Sequence, residues 1–143
     1  MVDEPEGKFD YLMIDAFSSD SIPVHLLTRE AIDLYFSRLN ETGMLVFHLS
    51  NRYMELPSIV GAFAKEKGFI ARLADKKDIS KADKENYISG SIVVVVARKS
   101  ADLGGLIGDS EWTEIRESGA TIWTDEYSNV LAAIWRKRNE SAK

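Results

Sequence analysis

Asp15 and Asp20 are the residues best placed to do chemistry. Asp15 closes a near-continuous apolar run, Phe9-Asp10-Tyr11-Leu12-Met13-Ile14, and Asp20 follows in the polar loop Ser18-Ser19-Asp20-Ser21. A parallel strand covered on both faces reads as unbroken hydrophobicity, and open α/β sheets gather ligands at the carboxyl ends of their strands. The pattern predicts a buried strand that carries two carboxylates to an active-site rim. There a desolvated carboxylate can attract a cation and take or direct the proton of an attacking amine. Aspartate is also a common turn and cap residue, and both positions suit that plainer role.

The elements that must hold this rim follow in order. Thr28 caps a predicted helix through Leu39, with Ile32, Tyr35, Phe36 and Leu39 on one apolar face, and Asn40-Glu41-Thr42-Gly43 ends it. Residues 44–49 repeat the pattern of a buried strand with a polar exit, here Ser50-Asn51-Arg52. Pro57 opens a second helix carrying Ile59, Val60, Phe63 and Ala64 inward, and Gly68 stands where a left-handed terminator belongs. Residues 69–74 and the valine-rich 91–97 predict a final strand pair. The charged stretch 75–86 between them predicts a mobile surface loop. Farther on, a short helix is expected over 111–117, and 121–136 suits helix or strand. Strand, helix, strand, helix, strand, strand is the order of a mostly parallel α/β sheet. It resembles half of a doubly wound fold, with no sign of a second domain.

Composition narrows the function. The chain has 143 residues, 45% hydrophobic and with a net charge of −5, enough apolar content for one folded core. An acidic surface argues against nucleic acid, whose affinity is built from lysine and arginine on phosphates, and favours a cationic or neutral small substrate. Without cysteine there is no disulfide, thiolate nucleophile or zinc-thiolate site, which fits a cytoplasmic setting. With only His25 and His48, no metal site is expected. Residues 1–8 lack the apolar core of a signal peptide, and the longest aliphatic stretch, 92–97, is too short for membrane insertion. No Gly-x-Gly-x-x-Gly follows any predicted strand, so the loop that would cradle a nucleotide or sulfonium cofactor is absent.

Residues 9–15 followed by Ser18-Ser19-Asp20 and Pro23, then Gly43-Met44-Leu45-Val46-Phe47-His48, and Tyr87-Ile88-Ser89-Gly90-Ser91 resemble the carboxyl-terminal half of spermidine synthase-like proteins, the polyamine aminopropyltransferases. The resemblance covers residues 7–100 and extends more loosely to Thr124-Asp125-Glu126-Tyr127, similar to a Thr-Asp-Asp-Tyr signature. It implies the Rossmann-like class I methyltransferase fold, of which this single domain would supply the last four strands in the order 4-5-7-6, the last antiparallel. It implies transfer of an aminopropyl group from decarboxylated S-adenosylmethionine to a polyamine or other small amine. By position, Asp15 matches the acid that contacts the attacking amine and Asp20 the second acid of the motif. Tyr87 is similar to a substrate-pocket tyrosine, and His48 falls near a polar pocket position. The usual Asp-Ser-Ser-Asp-Pro is interrupted here, since Ala16-Phe17 and Ser21-Ile22 lengthen the loop. The family's cofactor loop would lie upstream of Met1, so the chain alone is expected to bind no cofactor and to be inactive as a transferase.

Plainer readings stand beside these. His48 suits a hydrogen-bonded core histidine, Tyr87 a loop anchor, and Trp112, Trp123 and Trp135 core or interface packing. Two rival functions remain open: a non-catalytic interaction or dimerisation module, and half of a small-molecule S-adenosylmethionine-dependent methyltransferase. An uncovered first strand further predicts a homodimer through the edge formed by residues 9–15.

Overall fold

The computed structural model describes residues 6–16, 23–51, 53–76, 90–116 and 119–141. Four strands, β1 (Phe9–Ile14), β2 (Leu39–His48), β3 (Ile70–Lys76) and β4 (Ser91–Ala97), form one sheet in the order β1-β2-β4-β3. β1 and β2 are parallel, and β4 is antiparallel to both of its neighbours, so three strands share a direction and β4 opposes them. The helices are α1 (Arg29–Arg38), α2 (Pro57–Lys67) and α3 (Val130–Ser141). The architecture is mixed α/β, and α1 is the crossover that a parallel β1-β2 pair requires.

Local chemistry accounts for the helix ends. Thr28 Oγ1 accepts the Ala31 N–H at 3.3 Å, satisfying a donor that the first turn of α1 leaves open. Pro57 occupies the first turn of α2, where its missing N–H costs nothing. Leu56 offers α2 no side-chain cap, and Glu55 supplies one instead, its Oε1 accepting the Ser58 N–H at 3.0 Å. Gly68 ends α2 at φ 69°, a left-handed conformation that glycine adopts without steric cost.

Residues alternate across the sheet. Leu45 and Phe47 of β2, and Ile92, Val94 and Val96 of β4, face α1 and α2 and form the main core with Ile32, Phe36, Ile59, Val60 and Phe63. Trp123, 1% exposed, and Ala133 of α3 close it. Phe36 lies 4.8 Å from Phe69 between ring centroids, bringing α1 against the approach to β3. On the opposite face a 3-10 helix, Ser100–Ile107, sets Leu103 against Val95 and Ala97. That cover does not protect β1, where Tyr11 and Met13 are 66% and 56% exposed.

Several expectations are corrected. β1 is not a buried strand: among the described residues it pairs only with β2, and its Phe9, Leu12 and Ile14 pack against the main core only partly buried. β2 begins at Leu39 rather than 44, because α1 stops at Arg38 and the chain is extended at once. The register jumps from Phe9–Leu39 to Tyr11–Met44, so residues 40–43 form a wide bulge against Asp10. Gly43 is needed there, since a Cβ would stand 2.9 Å from Leu39 Cβ and 3.1 Å from the Phe9 carbonyl oxygen. Asp75 and Lys76 belong to β3, not to a loop, and pair with Ile92 and Ser91. No helix forms over 111–116; Thr113 instead bridges the outer edge of β3, exchanging both backbone hydrogen bonds with Leu73. The undecided stretch near the end resolves into an extended Trp123 followed by α3. No described helix is long and apolar enough to cross a membrane.

Candidate functional site

The parallel β1-β2 register builds the site. Ile14 lies opposite Phe47, so the next step along each strand brings Asp15 beside His48 at the carboxyl edge of the sheet. His48 Nδ1 and Asp15 Oδ1 are 2.8 Å apart. On the other side of the ring, His48 Nε2 and Ser50 Oγ are 2.7 Å apart. Ser50 Oγ also accepts the Ile92 N–H at 2.9 Å. Carboxylate, imidazole and hydroxyl thus form one hydrogen-bonded line anchored on β4.

An ionised carboxylate only accepts, so the proton shared with Asp15 sits on Nδ1 of His48. In the neutral ring, Nε2 then carries a lone pair, and the Ser50 hydroxyl is the donor facing it. The backbone keeps this hydroxyl in place. Leu49 donates to the Ile92 carbonyl at 2.8 Å, and one residue later the Ser50 hydroxyl takes the Ile92 N–H in place of a backbone carbonyl. Asn51 then turns the chain away, its Oδ1 accepting the N–H groups of Tyr53 and Met54, each at 2.9 Å.

The Asp15 side chain is 53% exposed and that of His48 23%, so the carboxylate meets solvent rather than the desolvated pocket expected of it. Its second oxygen is open to a ligand among the described residues. Met13 and Tyr11 share the exposed face of β1 with Asp15 at alternating positions, an apolar strip running back from the acid at about 7 Å per two residues.

Of the four sequence candidates, the structure brings Asp15 and His48 together, and Asp20 and Tyr87 lie outside the described residues. Ser50 was missed. Its only signal in sequence is a hydroxyl two positions beyond a histidine at a strand's polar exit. Asp125 and Tyr127 of the carboxyl-terminal signature form a tight turn, in which Thr124 and Tyr127 exchange backbone hydrogen bonds of 2.8 and 3.1 Å. This turn lines a cleft of about 700 Å³ with His25 and Glu30, whose carboxylate accepts the Asp125 N–H at 3.0 Å. A larger cleft of about 830 Å³ lies between α2, β3 and residues 114–122. Neither contains Asp15, His48 or Ser50. In the larger one Arg29 is already paired with Glu66 and Arg72 with Glu114, so its rim charges are largely spent on each other.

No group of three or more metal-ligating side chains converges among the described residues. Nor do the described residues form a glycine loop of the kind that cradles a nucleoside cofactor. The described glycines with positive φ are Gly7, Gly68, Gly104 and Gly119, and none lies between the carboxyl end of β1, β2 or β3 and a following helix, where a phosphate or ribose loop is built.

No family model, no curated protein and no solved structure matches this chain.

Proposed function

We propose that this chain is the amine-binding side of a spermidine synthase-like transferase of the class I methyltransferase fold. The observation that carries the reading is the position of Asp15: a half-exposed carboxylate at the carboxyl edge of a parallel strand pair, with one oxygen held by His48 and the other open among the described residues. The sheet order β1-β2-β4-β3 with β4 reversed also agrees with the order 4-5-7-6 that the resemblance implies.

In this reading Asp15 binds the ammonium form of a small aliphatic amine and directs its proton away as the nitrogen becomes a nucleophile. The Met13-Tyr11 strip lies along the methylene chain. The parent reaction moves an aminopropyl group from decarboxylated S-adenosylmethionine to that amine. The described residues offer no cofactor loop, so no step is assigned to the cofactor, and the chain alone is expected to be inactive.

Calorimetry with putrescine as the probe tests this. The wild-type chain is expected to bind it, and Asp15→Asn to weaken binding about tenfold or more, the worth of a charge-assisted contact. Equal affinity in the two proteins rejects the reading. Turnover of decarboxylated S-adenosylmethionine by the isolated chain rejects the inactivity.

A further inference from the structure

We infer that Ser50 is a positioning residue that holds His48 in its Nδ1–H form and so aims Asp15. The functional meaning of this rests on the reading of Asp15 as the amine-binding acid, but the geometry that carries it does not.

Ser50 has one proton and two lone pairs to distribute. One lone pair takes the Ile92 N–H at 2.9 Å, and that donor belongs to the sheet ladder and cannot turn away. The hydroxyl is therefore fixed in place, 2.7 Å from Nε2 of His48. With Nδ1–H committed to Asp15 at 2.8 Å, the neutral ring can only accept at Nε2, and the Ser50 proton fills that need. Donation runs in one direction along the line, from Ile92 N–H to Ser50, from Ser50 to His48, and from His48 to Asp15. Each bond favours the next, because a donor that is itself accepting a hydrogen bond is the stronger donor.

The consequence falls on Asp15. Carboxylate torsions are soft, and a half-exposed aspartate at a strand end would otherwise sample several orientations. A ring locked at both nitrogens fixes one carboxylate oxygen and with it the orientation of the carboxylate. A metal-bound histidine is oriented in the same way by its outer hydrogen bond.

Nitrogen-15 NMR of the histidine side chains in the full chain, without any amine, tests the inference. Under conditions where the ring is neutral, the wild type is expected to show His48 in a single tautomer, with protonated Nδ1 and bare Nε2. Ser50→Ala is expected to give a tautomer mixture and to raise amide exchange at Ile92 about tenfold, as its acceptor is lost. Ser50→Thr keeps the hydroxyl and restores both signals. Amide protection at Val94, deep in β4, reports the fold. If Ser50→Ala fails that check, Ser50→Cys, a weak donor of similar size, takes its place with the same expectations. A Ser50→Ala or Ser50→Cys spectrum identical to wild type overturns the inference. Because no amine is present, that failure leaves the putrescine experiment standing, and failure of putrescine to bind leaves this one standing.

Discussion

Asp15 and His48 stand 33 positions apart in sequence and meet at 2.8 Å because parallel pairing of β1 with β2 sets their strand ends side by side. The contact is therefore a product of register, and register is set below it, in the core. Leu12 opposite Leu45 and Ile14 opposite Phe47 face the helices, and a slip of one residue would turn both to the wrong side. The site and the core can thus be perturbed separately.

Their different burial sets the magnitudes. Asp15→Ala removes a hydrogen bond between His48 and a carboxylate that is 53% exposed, and urea denaturation is expected to show a loss below about 1 kcal/mol. Phe47→Ala, at 0% exposure, is expected to cost about 3–5 kcal/mol. A large loss in the aspartate variant would show that the pair holds the fold together rather than serving a ligand.

Glu55 is a second separable feature, at the junction of α2 and α3. It is 6% exposed, caps the Ser58 N–H with one oxygen and meets Arg136 Nε with the other at 3.3 Å. Its own backbone N–H donates to the Ala133 carbonyl at 3.1 Å. Removing the charge leaves a partly buried guanidinium without its ionic partner, which is more costly than the pair itself is favourable. Glu55→Gln is expected to lower stability by about 1–3 kcal/mol, measured by urea denaturation. A double cycle with Arg136→Met should recover much of that loss, and strict additivity would count against coupling.

These features differ in how visible they were beforehand. The apolar runs at 44–49 and 91–97 and the helix signals Thr28, Pro57 and Gly68 announced the sheet and two helices, because each acts through its immediate neighbours. The bulge at 40–43 did not, since it depends on Gly43 fitting between Leu39 and the Phe9 carbonyl, a contact between strands. The extended path at 111–116 was hidden for the same reason, being drawn to β3 through Thr113 and Leu73. At the site, Asp15 was legible as an acid ending an apolar run. The role of Ser50 was not, because it is created by Ile92, 42 residues away on a strand of opposite direction.

Gly61 makes a testable case of such a hidden contact. It lies inside α2, where alanine is ordinarily more favourable by about 1 kcal/mol. Here a Cβ would stand 2.9 Å from Ile115 Cγ2, a branch fixed to its own Cβ and unable to swing aside. Gly61→Ala is expected to lower the thermal midpoint in the wild-type background. In an Ile115→Ala background the same substitution should raise it, by about 0.5–1 kcal/mol in stability. The same sign in both backgrounds would refute the steric account.

Arg29 and Glu66 join the start of α1 to the end of α2 through two parallel hydrogen bonds of 2.9 and 2.8 Å. This bidentate bond from Arg29 holds the Glu66 carboxyl below the usual carboxylate range, and Glu66 in turn pushes the guanidinium up. The unfolded chain, lacking the pair, takes up a proton on Glu66 at higher pH than the folded one does. It therefore binds more protons through that window, and stability rises with pH across it. The contribution is fully present above the ordinary carboxylate pKa and disappears as pH falls through the depressed folded value. The arginine end adds nothing near neutrality, where it stays charged in both states. Thermal midpoints measured from about pH 6 down to pH 3 are expected to fall less steeply in Glu66→Gln than in the wild type, with the two curves converging at the acid end. Both groups are exposed, so the gap at neutral pH should be small and should narrow further in high salt. Parallel curves over the whole range would show that Glu66 titrates alike in the folded and unfolded chain, leaving the Lys67–Asp33 pair and the packing of Phe36 on Phe63 to join α1 and α2.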